Sequence, residues 1–196
     1  QPETEAAIMI DYVLTVLAAG RVTLALAGAA LVLAVLLGLL SAWAQLSGGP
    51  VLRLLSGCYT TVVRGIPALV LLLLVFYSSP ALLNQWLEQS GSDYFFELSP
   101  FVAGTLTLGL IFGAYMSETF RSALQNIPRG QVEAAQAYGM TRAQIFRRVV
   151  LPQMIRLALP GFTNNWLVLA KATALVSLIW LQDIMFRAQG AAEATR

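Results

Sequence analysis

Lys171 is the only charge in an apolar stretch of residues 157–181, and the amides of Asn164 and Asn165 precede it on the same stretch. An ammonium inside such a segment either binds a carboxylate or backbone carbonyls, or snorkels toward the nearer surface. The two amides either contact the polar ends of a small solute or bond between helices. Fifteen residues from Arg156, at 1.5 Å each, put Lys171 about 22 Å along a helix axis. That is past the middle of a hydrocarbon core about 30 Å thick. Glu118 and Arg121 are three apart and share a helical face. With Arg64, near one membrane surface, they read as a helix-end ion pair or a gate. Their depth does not match that of Lys171, so no Glu118–Lys171 pair is expected.

Several chemistries are ruled out. The sequence has no histidine and one cysteine, Cys58. Ser-His and Cys-His catalytic pairs, His-based metal sites and an intrachain disulfide are therefore impossible. No GxxxxGK[ST] run occurs, so the chain cannot cradle ATP phosphates. No bound cofactor is expected, and any energy source must be a partner.

Hydrophobic residues make up 58% of the chain and charged residues 11%, against roughly 25% charge in soluble proteins. Mean hydropathy is +0.71. This composition suits lipid, and the 196 residues allow one membrane domain, 1–196. The net charge of +2 carries no implication of nucleic acid. The opening QPETEA lacks the basic start of a signal peptide and reads as a processed, tagged or truncated beginning.

Between two apolar segments lies a polar loop, residues 126–152. Residues 131–138 permit a helix, and Ala134, Ala135 and Ala137 give it a low, flat surface. Gly139 allows the left-handed backbone angle of a sharp break. Thr141 followed by Gln144 fits a capping box that starts a second helix, while Pro152 and Pro160 should interrupt the path back to the membrane. The expected product is a rigid knob that a partner can push, with Glu133 pairing to a basic group on that partner or to Arg129.

The elements that position these residues are four apolar segments: 22–43, one around 66–77, 100–117 and 157–181. The second is too short alone. It either borrows residues from 54–63 or runs beyond Tyr77. Ser47-Gly48-Gly49-Pro50 and Ser78-Ser79-Pro80 carry turn chemistry. Gly109 and Gly113, with Gly104 before them, read either as a close helix contact, such as one across a subunit interface, or as the ordinary glycine content of membrane helices. Arg53 and Arg64 flank the first connection, and six arginines crowd the third. The second holds Glu88, Asp93 and Glu97 without a basic residue. The positive-inside rule puts the first and third connections in the cytoplasm and the N-terminus outside.

The loop reads EAA, three residues, Gly139, nine residues, then Val149, Val150, Leu151 and Pro152. It resembles the EAA loop of bacterial ABC importer permeases, with Val149 where isoleucine is usual. VRGIPALVLLLLVFY (63–77), GLIFGAYMSETFRSAL (109–124) and LPGFTNNWLVLAKATALVSLI (159–179) resemble helices of the polar amino-acid permeases. They are most similar to Q-type subunits of histidine/lysine/arginine/ornithine importers. The resemblance covers residues 17–187. It implies an all-α, polytopic helical bundle, the transmembrane domain of a type I ABC importer, with four spans here and the family's usual fifth absent.

It further implies a multi-pass subunit of the bacterial inner membrane, surrounded by lipid. A cytosolic ABC ATPase dimer would carry ATP and Mg and receive the coupling residues Glu133, Ala134, Ala135, Gly139 and Arg129. A second related permease would complete the pore, and a periplasmic amino-acid-binding protein would deliver a polar, basic amino acid. Acidic residues found in some such permeases are replaced here by Asn165 and Ala172, so the partner permease is expected to supply part of the recognition. An ATPase-independent secondary transporter or channel is the alternative, but no inverted repeat supports it. An intramembrane enzyme is disfavoured by the missing histidine and the scarcity of paired carboxylates.

Overall fold

Residues 22–43 contain no charge and no proline, and their helix grows in both directions into α1 (Pro2–Ser47). The computed structural model describes the backbone of residues 2–91, 94 and 98–194, and the side chains of residues 20–91, 94, 98–173 and 176. Asp93 and Glu97 of the second connection lie outside the described side chains. Gly48 and Gly49 end α1, and Pro50 opens α2 (Pro50–Gly65) in the first turn, where a missing N–H costs nothing. Ile66 is extended, at φ −107° and ψ 134°, because a residue before proline is driven out of the helical region.

Beyond Pro67 the helix resumes as α3 (Ala68–Leu73), widens into a π-helical turn at Leu74–Ser78, and continues as α4 (Ser79–Gln89). The second apolar segment therefore runs beyond Tyr77 and borrows nothing from residues 54–63. Ser78-Ser79-Pro80 is not the turn its composition suggested. Pro80 cannot donate to the preceding turn, and the π-helical widening just before it accommodates the loss. The Ser79 hydroxyl donates to the Val75 carbonyl in the same stretch.

α5 (Pro100–Gln125) starts where the Ser99 hydroxyl accepts from the Val102 N–H at 3.3 Å. Then come α6 (Arg129–Ala137), α7 (Arg142–Ile145), a second π-helical turn at Phe146–Val150, and α8 (Leu151–Ala194). The expected interruptions at Pro152 and Pro160 do not occur. Pro152 follows a π-helical turn just as Pro80 does, with the Leu151 N–H reaching the Phe146 carbonyl. Pro160 lies inside an unbroken α8.

Among the described residues, three stretches are long and apolar enough to cross a membrane: Gly20–Ser47, Ala68–Gln89 and Pro100–Gln125. The fourth apolar segment, 157–181, lies in α8, and most of its side chains beyond 173 are outside those described.

Small residues bring α1 and α5 together. Ala27, Ala30, Ala34 and Ala42 are buried on α1, facing Leu108, Ile111, Phe112, Met116 and Phe120 of α5. In lipid no hydrophobic effect drives helices together, so close packing and polar contacts must do it. A Cβ at Gly38 would stand 2.6 Å from the Met116 Cβ, so the backbones meet there without one. Gly104, Gly109 and Gly113 receive Leu26 and Val176, Leu33, and Leu37 with Tyr59 respectively. Their close contact is within the chain. A buried hydroxyl cluster closes the same corner: Ser117 donates to Ser41 at 2.9 Å, and Ser41 and Ser56 share a hydrogen bond of 2.5 Å, joining α5, α1 and α2.

Candidate coupling loop and translocation surface

Alanine and glutamine fill α6, and its C-terminus closes at Gly139, whose φ of 76° only glycine adopts freely. The Gly139 N–H reaches the Gln136 carbonyl at 2.9 Å, and the Met140 N–H reaches the Ala135 carbonyl at 3.1 Å. Two carbonyls left open by the helix end are thereby satisfied. The next residues restart the helix through the capping box the sequence contains. The Thr141 hydroxyl accepts from the Gln144 N–H at 3.4 Å, and the Gln144 side chain accepts from the Thr141 N–H at 2.8 Å. The knob is thus fastened on both sides of its turn.

Its faces are unequal. Ala135 is 7% exposed and turned into the protein, whereas Glu133, Ala134, Ala137 and Gly139 are exposed and Tyr138 is 88% exposed. The three alanines therefore do not form one flat outer surface: Ala134 and Ala137 do, and Ala135 anchors. Among the described residues no ion pair joins Glu133 to Arg129. Both side chains instead line an open groove with Leu124, Ile127, Val132, Gln136 and Val150. Exposed Tyr138 was not singled out from the sequence, although an aromatic ring one residue before the turn glycine was there to be read.

The structure gathers Arg64, Glu118 and Arg121. The Arg121 guanidinium holds Glu118 at 2.5 and 3.2 Å, through Nη2 and Nε. Arg64, at the end of α2, stands 3.9 Å from the same carboxylate and lies over the Tyr115 ring, 5.5 Å from its centre. The local pair is therefore part of a cluster that ties α2 to α5. Its side chains are 30–42% exposed, so each contact is worth about 1 kcal/mol or less.

Asn164, Asn165 and Lys171, the three candidate path residues of α8, separate. Asn165 is partly buried and donates to the Thr119 hydroxyl of α5 at 3.1 Å, which is the helix-to-helix bond. Asn164 and Lys171 are exposed. They are seven residues apart, so a 3.6-residue repeat puts them on one face of α8, about 10 Å from each other. Among the described residues Lys171 makes no ion pair, and none joins it to Glu118.

Residues 34–193 match the family described as the binding-protein-dependent transport system inner membrane component. The chain is 50% identical over 174 residues to the histidine/lysine/arginine/ornithine transport system permease protein HisQ of Salmonella typhimurium, an alignment covering 89% of this chain and 76% of that protein. It is 37% identical to the arginine ABC transporter permease protein ArtQ of Escherichia coli, over 91% of this chain and 80% of that protein. A solved amino acid ABC transporter with histidines superposes with a TM-score of 0.71 at 33% identity, covering 95% of this chain and 82% of that one. With an EAA-type knob on an all-helical membrane scaffold, the chain belongs to the binding-protein-dependent transport system inner membrane components, among the polar amino-acid ABC permeases.

Proposed function

We propose that this chain is one of two permease subunits in an ATP-driven importer, and that it moves a basic amino acid inward across a bacterial inner membrane by alternating access. The observation that carries the reading is the doubly fastened knob at Gly139, with Glu133, Ala134 and Tyr138 outward. A knob held by hydrogen bonds at both flanks moves as one piece, so displacement by an ATPase is passed on rather than absorbed. Arg129, Glu133, Ala134 and Gly139 are the contact face, and Ala135 holds that face to the protein.

The chain has no phosphate cradle, so ATP and Mg belong to the ATPase dimer and no cofactor to this subunit. A second permease subunit completes the path, and a periplasmic binding protein presents the solute. The arginine-rich third connection supports a cytosolic knob and an N-terminus on the periplasmic side. On α8, Asn164 and Lys171 face the path, while Asn165 fixes the helix that carries them. Lys171 repels a cationic side chain, so its partner is the α-carboxylate, with the cationic end toward the other subunit. The names of the similar proteins, which mention histidine, lysine, arginine and ornithine, support a basic cargo.

The test is reconstitution of the full chain with its genomic-neighbour ATPase, permease and binding protein in proteoliposomes. Uptake of labelled arginine, lysine, histidine or ornithine that requires both ATP and binding protein is expected. Uptake by this chain without an ATPase, driven by an ion gradient, would establish the secondary-transporter reading instead.

A further inference from the structure

Gln153 occupies an unusual junction. It lies two residues into α8, directly after the π-helical turn, and its side-chain amide donates twice. One bond goes to the Val149 carbonyl within the turn at 2.8 Å, and the other to the Gln131 side-chain oxygen on α6 at 2.5 Å. Twenty-two residues separate the two glutamines in sequence. Among the described residues, no other side-chain hydrogen bond or ion pair joins α6 to α7, the π-helical turn or α8. The only shielded side chains of α6 are apolar: Ala135 is buried and Val132 partly buried.

We propose that Gln131 and Gln153 form a positioning strut that passes displacement of the knob into α8. The idea rests on the importer reading above and adds to it a specific pair of residues. Apolar contacts are non-directional and let packed surfaces slide, whereas a hydrogen bond fixes distance and direction. α8 continues unbroken from Gln153 to Asn164 and Lys171. A pull on Gln131 is therefore carried into the rod that bears the path residues. The second bond of Gln153, to Val149, stiffens the π-helical turn that would otherwise yield first.

The experiment uses the complete reconstituted importer and reads amino acid taken up per ATP hydrolysed. In this assay the wild-type complex alone tests the importer reading, and the variants test the strut. Gln131→Leu and Gln153→Leu should each lower the ratio by about three- to tenfold, with ATP hydrolysis and complex yield retained. The double variant Gln131→Glu with Gln153→Lys replaces the amide bond by an ion pair whose ammonium can still donate to the Val149 carbonyl, and should recover most of the ratio. Wild-type ratios in both leucine variants overturn the strut. So does a loss confined to Gln153→Leu, because Gln153 would then act only on the Val149 carbonyl. If a leucine variant fails to assemble, rescue of both assembly and ratio by the double variant supports the strut, and rescue of assembly alone overturns it.

Discussion

The backbone N–H of Met140 donates to the carbonyl of Ala135 at 3.1 Å, across a glycine with a φ of 76°. This bond spans six residues and forms only when the residue before the donor is left-handed. Nothing lies within 4 Å of the position a Cβ would take at Gly139. The demand for glycine is therefore conformational, and a side chain there would have room but the wrong backbone.

Gly139→Val should lower uptake by roughly tenfold while ATP hydrolysis and membrane insertion persist, since left-handed L-residues cost about 1–2 kcal/mol and β-branched ones more. Gly139→Asn should retain most uptake, because asparagine tolerates this region. The two variants are compared by uptake and ATPase assays on equal amounts of inserted complex. Equal uptake by valine and wild type would show that the turn does not depend on the φ of residue 139.

Ala134→Cys should crosslink to the ATPase in inside-out vesicles, and Ala135→Cys much less. Neighbours in sequence, they differ because Ala135 is 7% exposed and Ala134 is on the outer face. Thiol labelling of Ala134→Cys from the periplasmic side alone would place the loop on the wrong side of the membrane and remove the coupling reading.

Local chemistry made much of the knob legible beforehand. Gly139, Thr141 and Gln144 act through bonds to their immediate neighbours, so spacing alone foretold the turn and the capping box. The inward face of Ala135 was not legible, because it depends on how α6 lies against the rest of the subunit, and three alanines within four residues give no clue to that. Proline misled in a similar way. Pro80, Pro152 and Pro160 break helices in isolation, yet here the chain continues, twice with a π-helical turn before the ring. Asn165 and Asn164 look alike in sequence, and only the approach of α5 separates them. The glycines of α5 announced a close contact without saying with what; α1 of the same chain proves to be the partner for Gly109.

Gly38→Val should destabilise the assembled subunit by about 1–3 kcal/mol, the usual cost of forcing bulk into a packed contact. A Cβ there would be 2.6 Å from the Met116 Cβ and 3.1 Å from its carbonyl carbon, and backbone cannot rotate away. Gly28→Val is the control, with nothing within 4 Å of its Cβ position. The readout is the thermal midpoint of purified complex in detergent. Identical midpoints for both variants would mean that α1 and α5 are not held at this distance.

Lys171→Met keeps much of the side-chain length and removes the charge. Lys171 and Asn164 share an exposed face of α8, and among the described residues Lys171 has no ion-pair partner in this chain. Its position, about 22 Å along the helix from Arg156, is too deep for the inner surface to satisfy it. An α-carboxylate passing along this face would supply the missing partner, and a charged hydrogen bond of that kind is worth about 1.5–3 kcal/mol. The methionine variant should therefore take up a basic amino acid about ten- to a hundredfold more slowly, with basal ATP hydrolysis close to wild type. Asn165→Ala is the contrasting change: its bond goes to Thr119 at 3.1 Å, so it should lower the thermal midpoint more than it slows uptake per folded complex. Proteoliposomes with saturated binding protein separate the two effects. Wild-type uptake by Lys171→Met would assign the ammonium to snorkelling toward the outer surface and take it off the substrate path.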